Sequence, residues 1–486
     1  MTRLSLRSLA WTLFVALLMS ACTSHVQYRT NYLLCARETP IAPTDCELHA
    51  LQEYRDRDRV EPDQSYTLGF IEFDDQGLLF KRRQMRAVLN AVREKLARKD
   101  LLMVVFMHGW KHNAAPKDRN VKEFRQLLTD LSAAESRLQG DKRREVMGVY
   151  LSWRGLSISA PVLDLLTFWD RKNTAHKVGR GSVTEVLTRL ERIKEGGGRN
   201  TTLTVVGHSF GGAAIYDALS QVLEARFART VDASDPQAGI EGFGDLVVLI
   251  NPAFEALQYA TLSDMSTEFA DYRQFQLPVL VVLTSEGDKA TEWAFPIGRR
   301  FSTVFEKERV VKRCNATTRK LEEIDEEAAN IKAIGHFGPY KTHTLRAAVA
   351  AEQGSKHRSA VQPPRFLEVG AQWRRDRPGS KITFKGSILE RTPTSAGRNP
   401  YLVVSVNKAL IKDHNDILDE SVVDFVRQLI LISSQTPAQS REIRELEAVG
   451  VPVAAATRES NDDGCSDIRA EFSSTARGEK RSDANP

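Results

Sequence analysis

The chain is short of cysteine, with five in 486 residues. It has no Cys/His grouping at a spacing that holds zinc. His108 and His112 are four apart, but they follow an apolar run that reads as a strand end, so a helical pair of ligands is not formed. No metal site and no cofactor is expected. An excess of one charge is also lacking: 68 basic residues stand against 63 acidic ones, for a net charge of +5. The two signs are interspersed, and that balance gives no case for nucleic acid as a partner. There are no internal repeats, which removes solenoids and propellers. No apolar run reaches the roughly 20 residues that a membrane-spanning helix needs. What remains is a chain 42% hydrophobic. It is long enough to bury a substantial core, as one large domain with insertions or one domain with extensions.

The longest apolar run stands at the N-terminus. Arg3 and Arg7 precede Leu9–Met19, a charged segment followed by a short apolar one, which reads as a signal for export. Leu18-Met-Ser-Ala-Cys22 then resembles a bacterial lipobox, in which small residues precede a cysteine that is acylated and becomes the new N-terminus. The resemblance implies a lipoprotein anchored at Cys22. Thr23 and Ser24 follow with no Asp, which by analogy implies the outer membrane, facing the periplasm. The alternatives are an ordinary cleaved signal peptide or a simple anchor. Several acyl chains on one cysteine give stable anchoring. Four cysteines remain: Cys35, Cys46, Cys314 and Cys465. An even number in an exported chain points to two disulfides, with three connectivities to choose from. Cys35 with Cys46 is the natural local pair, and Cys314 with Cys465 would tie the tail to the body. Free buried thiols are the alternative.

Residues 22–64 are polar and contain proline, and they read as an extension. From 65 to 434 strands and helices alternate. Strands are expected over Ser65–Asp74, Leu101–Met107, Glu145–Trp153, Thr201–His208, Asp245–Ile250, Leu277–Thr284 and Tyr401–Val406. Helices are expected over Arg82–Leu96, Val121–Leu138, Gly179–Lys194, Ala213–Ala225 and Glu420–Ile430. Apolar strands alternating with helices predict an α/β fold, a mostly parallel central sheet with helices on both faces. Leu156–Val178 reads as a cap over the site, or as a peripheral helix. Residues 289–398 form a large insertion before the last strand, with an acidic helix over Arg319–Ile331. Residues 435–486 read as a polar tail.

The chemistry concentrates at Val206-Gly207-His208-Ser209-Phe210-Gly211. An apolar strand runs into this segment and a helix leaves it, with a serine at the apex. The glycines two residues either side keep side chains out of a crowded turn. The helix start aims amides and a positive dipole end at the site, which suits an oxyanion. A plain structural turn serine is the alternative. The stretch resembles the nucleophile elbow of the α/β-hydrolase superfamily, over about residues 65–434. Glu145–Trp153, ending in Ser152-Trp153, and the early His108-Gly109 look most like esterase or lipase-like members. The resemblance implies a Ser-His-Asp triad in the order nucleophile, acid, base. Ser209 is then the nucleophile. The acid falls on Asp288 after the second strand past the elbow, with Glu286 as the alternative. The base falls on His414 after the last strand. His343 and His336 are alternatives, and they require Ile331–Ile334 to be the final strand. The oxyanion donors are the amide of Phe210 and that of Trp110, with Gly109 allowing close approach. His208 is expected to pack within the elbow. The substrate class implied is a small-molecule or lipid ester. Acyl transfer within the same fold and a non-catalytic envelope scaffold are the competing functions.

Overall fold

Leu101–Met107 has no polar residue, and it forms a strand buried along its whole length. A run that is apolar on both sides needs cover on both sides, as parallel sheets have. The computed structural model describes residues 26–37, 45–55, 64–137, 143–155, 164–198, 200–232, 239–294, 307–348, 365–415, 420–435, 440–441, 443–445 and 465. The architecture is α/β, with a mostly parallel sheet flanked by helices. The chain divides into two units, Met1–Gln221 with Phe243–Ala253, and Val222–Gly242 with Phe254–Pro486.

The first unit holds β1 (Asn31–Arg37), β2 (His49–Tyr54), β3 (Tyr66–Glu72), β4 (Leu101–Met107), β5 (Glu145–Ser152), β6 (Thr202–His208) and β7 (Leu246–Ile250). Their spatial order is β1-β2-β3-β5-β4-β6-β7. From β3 to β7 every pairing is parallel. Its helices are α1 (Arg82–Leu96), α2 (Arg119–Ser136), α3 (Asp164–Val178), α4 (Thr184–Glu195) and the start of α5 (Phe210–Asp232). On α1, Met85, Val88, Leu89 and Val92 are buried, the stripe that a 3.6-residue period dictates. Gly69 of β3 pairs with Val149 of β5, so the neighbouring Gly148 faces the opposite side of the sheet. A Cβ at Gly69 would strike Val88 of α1, and one at Gly148 would strike Leu128 and Phe124 of α2. The two helices therefore cover opposite faces.

Two expectations for this unit change. Residues 22–64 are not simply an extension, because β1 and β2 join the sheet, with β2 antiparallel to β3. Their polar character hid them. Gln52 is fully buried on β2, yet its amide donates to the carbonyls of Cys46 and His49, and its oxygen accepts from Arg125. The Cys35–Cys46 disulfide closes the segment between them, with Cα atoms 5.7 Å apart. Of the expected cap, residues 156–163 lie outside the described residues. The remainder is α3, whose Ala175 and Val178 are buried and whose His176 Nδ1 stands 2.5 Å from Asp217 Oδ2 of α5. The described part is a helix packed on the body, which was the alternative reading.

The second unit holds β8 (Leu280–Ser285), β9 (Val310–Asn315), β10 (Lys320–Asp325), β11 (His343–Ala347), β12 (Lys381–Thr383), β13 (Ser387–Arg391) and β14 (Tyr401–Val406). β14 runs parallel to β8 and to β11, and β13 and β12 follow antiparallel. Its further helices are α6 (Ala260–Glu268), α7 (Glu326–Ile331), α8 (Arg365–Arg374) and α9 (Glu420–Ser433). The insertion over 289–398 thus supplies three sheet strands beyond β14. The acidic helix expected over Arg319–Ile331 is a helix only from Glu326, where Asp325 caps it by accepting from the Ala328 amide. Its first half is β10, paired with β9. Charges read as a helical surface are instead matched across strands. Buried Arg313 pairs with Glu322 at 3.0 Å and with Asp264 at 3.1 Å. Most of the tail lies outside the described residues. Ile443 is nevertheless buried against Leu367 and Ala371, and Cys465 is joined to Cys314. Both disulfides follow the expected pairing.

Candidate active site

Ser209 directly follows β6 and precedes α5. Its φ is +54°, a left-handed conformation that costs a residue with a side chain about 1–2 kcal/mol. The backbone that enforces it is fully bonded. The Ser209 amide donates to the Ile250 carbonyl at 2.9 Å, and the Ser209 carbonyl accepts from Ala213 and from Ala253. Only glycine fits at position 211, because a Cβ there would collide with the carbonyls of Met107 and His108. Gly207 packs against Gly212 and Ile215 in the same way. Of five residues other than glycine with positive φ among the described residues, three (Lys111, Ser209 and Asn251) directly follow β7 or β6 or lie just past β4. Strain held at the carboxyl ends of adjacent parallel strands marks the place where such sheets bind ligands.

The loop after β4 touches this serine. A Cβ on Gly109 would lie 2.7 Å from the Ser209 Cβ and 2.9 Å from the His208 carbonyl. His108, fully buried, fixes the loop. The Trp153 amide donates to His108 Nε2 at 3.2 Å, so that nitrogen accepts and the neutral ring carries its proton on Nδ1. Nδ1 then donates to the Gly109 carbonyl at 2.9 Å. Ser152 Oγ lies 3.0 Å from Nε2, and the Trp153 indole stacks on the imidazole and donates to the His108 carbonyl. With the Gly109 carbonyl pinned, the planar trans peptide directs the Trp110 amide the opposite way. Sequence reading named His108 only as part of a turn; its supporting role depends on Ser152 and Trp153, 44 and 45 residues away.

Burial lowers the His108 pKa to about 4. The folded value lies below the unfolded one, so the stabilisation is present above about pH 6.5 and is lost as pH falls through the folded value. Protonating this ring should therefore cost on the order of 3 kcal/mol between pH 6.5 and 4. The thermal midpoint is expected to drop over that window, and the His108→Asn chain to show a smaller drop. An equal drop in both would remove His108 as its source.

In the second unit, β8 ends at Ser285 and runs into the loop Glu286-Gly287-Asp288, and β14 leads to His414. The Ser285 hydroxyl donates to the Ile411 carbonyl at 2.6 Å and the Glu286 amide to the Val406 carbonyl at 2.9 Å, which ties the two loops together. Asp288 has no exposed surface. Its Oδ1 accepts from the amides of Ala290 and Thr291, and its Oδ2 from the Thr291 hydroxyl at 2.5 Å and from His414 Nδ1 at 2.9 Å. Burial by itself raises its pKa, but the His414 charge and these hydrogen bonds outweigh it and hold the carboxyl below its usual range. A carboxylate only accepts, so His414 Nδ1 carries a proton and Nε2 is the accepting nitrogen of the neutral ring.

The alternatives fall elsewhere. His343 lies within β11, fully buried, with Nδ1 2.8 Å from the Thr342 hydroxyl, and burial beside Arg391 pushes its pKa well down. His336 reaches Asp288 only through Thr291, whose Oγ1 lies 2.9 Å from His336 Nε2. Ile331–Ile334 is not a strand; it spans the end of α7 and a short 3-10 turn. Glu286 turns toward Asn407, whose amide donates to it at 3.2 Å. Thr291 was missed, since a hydroxyl three residues past an acid is a common sequence event. His112 is engaged by Asp118, the cap of α2, and among the described residues no group of three His, Cys, Asp or Glu is placed to hold a metal. The nucleophile side belongs to one unit and the acid–base side to the other. No protein family, no curated protein and no solved structure matches this chain.

Proposed function

We propose that this chain is a serine hydrolase of the α/β-hydrolase kind that cleaves carboxylic esters and is held at a bacterial membrane through Cys22. The observation that carries the reading is Ser209 locked in a left-handed strand-to-helix turn, a cost with no structural return unless the hydroxyl must be presented. The Asp288–His414 pair supports it, because a buried carboxylate on Nδ1 fixes the tautomer a general base requires. In the proposed reaction Ser209 Oγ attacks the acyl carbon while its proton passes to His414 Nε2. The amides of Phe210 and Trp110 take up the oxyanion. Collapse of the tetrahedral species breaks the ester bond, and the alcohol leaves with the proton from His414. Water then repeats the sequence on the acyl-enzyme, with His414 again as base.

A fluorophosphonate probe tests this directly. Labelling of the detergent-solubilised full chain, absent in Ser209→Ala, supports it. Failure of the folded chain to label would favour the scaffold reading. Where labelling occurs, partition of the acyl group between water and an added alcohol separates hydrolysis from acyl transfer.

A further inference from the structure

The net charge of the chain is small, but its distribution is not even. α1 and α4 lie side by side in the first unit, with Arg82 in the first turn of one paired with Glu185 in the first turn of the other. Their outer faces expose Arg82, Arg83, Arg86, Arg93, Arg189 and Arg192 against only Glu94 and Glu195. Lys81, Arg98 and Lys99 extend the same basic surface at the ends of α1. Along α4, against the C-terminal end of α1, runs a groove of about 850 Å³. Arg93, Arg189 and Arg192 line it together with Thr188 and Ile193 and with one carboxylate, Glu185, which pairs with Arg189 at 2.9 Å. Arg86 and Arg192 have no ion pair among the described residues.

We infer that this α1–α4 face docks on the anionic surface of a phospholipid bilayer, with lipid phosphates seated on its arginines and in the groove. The cations are arginines almost throughout, and the guanidinium fork matches phosphate oxygens in pairs where an ammonium does not. The N-terminal segment supplies a second, independent reason. Residues 26–34 lie against the first turn of α1, since Gln84 donates to the Arg29 carbonyl at 3.1 Å and Arg83 sits over the Tyr32 ring. That segment leaves Val26, Leu33 and Leu34 exposed, at 51%, 72% and 51%. Aliphatic side chains beside a cationic face are what an interfacial surface carries. Cys22 precedes Val26 by four residues, at most about 14 Å of extended chain. An anchor there holds Val26, beside the first turn of α1, within one or two Debye lengths of the headgroups, about 10 Å each at 0.1 M salt. Docking uses no group of the proposed triad, so it stands or falls apart from catalysis.

Arginine reactivity reads the docking. The full chain is reconstituted in vesicles of phosphatidylcholine alone, or of equal parts phosphatidylcholine and phosphatidylglycerol. Phenylglyoxal modification is followed by mass spectrometry at Arg83, Arg86, Arg189 and Arg192, with exposed Arg319 as the internal control. On the anionic vesicles the four should react several-fold more slowly, with Arg319 unchanged, and high salt should abolish the difference. The chain carrying Arg83→Glu, Arg86→Glu and Arg192→Glu should lose the protection of Arg189 while keeping its circular dichroism. Equal rates on the two vesicle types would overturn the inference. So would equal protection by soluble glycerol phosphate on zwitterionic vesicles, which would mark a small-ligand pocket.

Discussion

Ester turnover by the Ser209→Ala chain is expected to fall by roughly four to six orders of magnitude, the loss seen when a serine hydrolase is deprived of its nucleophile. The fold should survive, because the turn is set by backbone bonds to Ile250, Ala213 and Ala253 and by glycine at 211, none of which uses the Ser209 hydroxyl. A second substitution at the same position separates strain from chemistry. Alanine keeps the Cβ that resists φ of +54°, whereas glycine does not. Ser209→Gly should therefore be more stable than Ser209→Ala by up to about 1 kcal/mol, the left-handed penalty less glycine's entropic cost. Kinetics and thermal melts of the two chains check both statements. Turnover retained in Ser209→Ala would end the hydrolase reading. Equal melting points would mean that the turn stores no strain at that residue.

The alternating part of the fold was legible because its signals are local. Leu101–Met107 is apolar on both faces and Thr202–His208 is apolar through its centre; both are buried along their length, and such runs have few destinations other than a covered sheet. The elbow was legible for the same reason: strand, turn and helix are contiguous in sequence. What escaped reading depends on distant partners. Gln52 looks like a linker residue until Arg125 and the Cys46 carbonyl satisfy it. Lys320–Asp325 looks helical until β9 places Arg313 and Lys312 opposite Glu322 and Glu323. His414 sits 126 residues from Asp288, and only a count of strands could connect them. β14 pairs directly with β8, although the insertion between them in sequence adds three more strands to the sheet. His108 was named for its turn, and its stack on Trp153 could not be seen from either residue alone.

The base assignment makes the second large prediction, and it turns on which histidine is held by a carboxylate. Asp288→Asn keeps shape and most hydrogen bonds, but an amide can present its NH2 to the ring and stabilise the wrong tautomer. Turnover should then fall by about 10^4-fold, and His414→Ala should fall at least as far. His343→Ala should leave turnover within a few-fold of the parent, since His343 is packed inside β11 beside Arg391. His336→Ala should have an intermediate effect. Its ring meets the Thr291 hydroxyl, which in turn donates to Asp288, so losing it removes the hydrogen bond that orients that hydroxyl, worth about 1 kcal/mol or roughly fivefold in rate. The acid limb offers a further check. The Asp288 carboxyl lies below its usual range, so its charge contributes stability above the unfolded pKa near 3.9 that is lost only as pH falls through the folded value. Compared across the four chains, kcat/KM between pH 5 and 8 decides the order. A dead His336→Ala beside an active His414→Ala would transfer the base to His336 and reduce the Asp288–His414 pair to a structural contact.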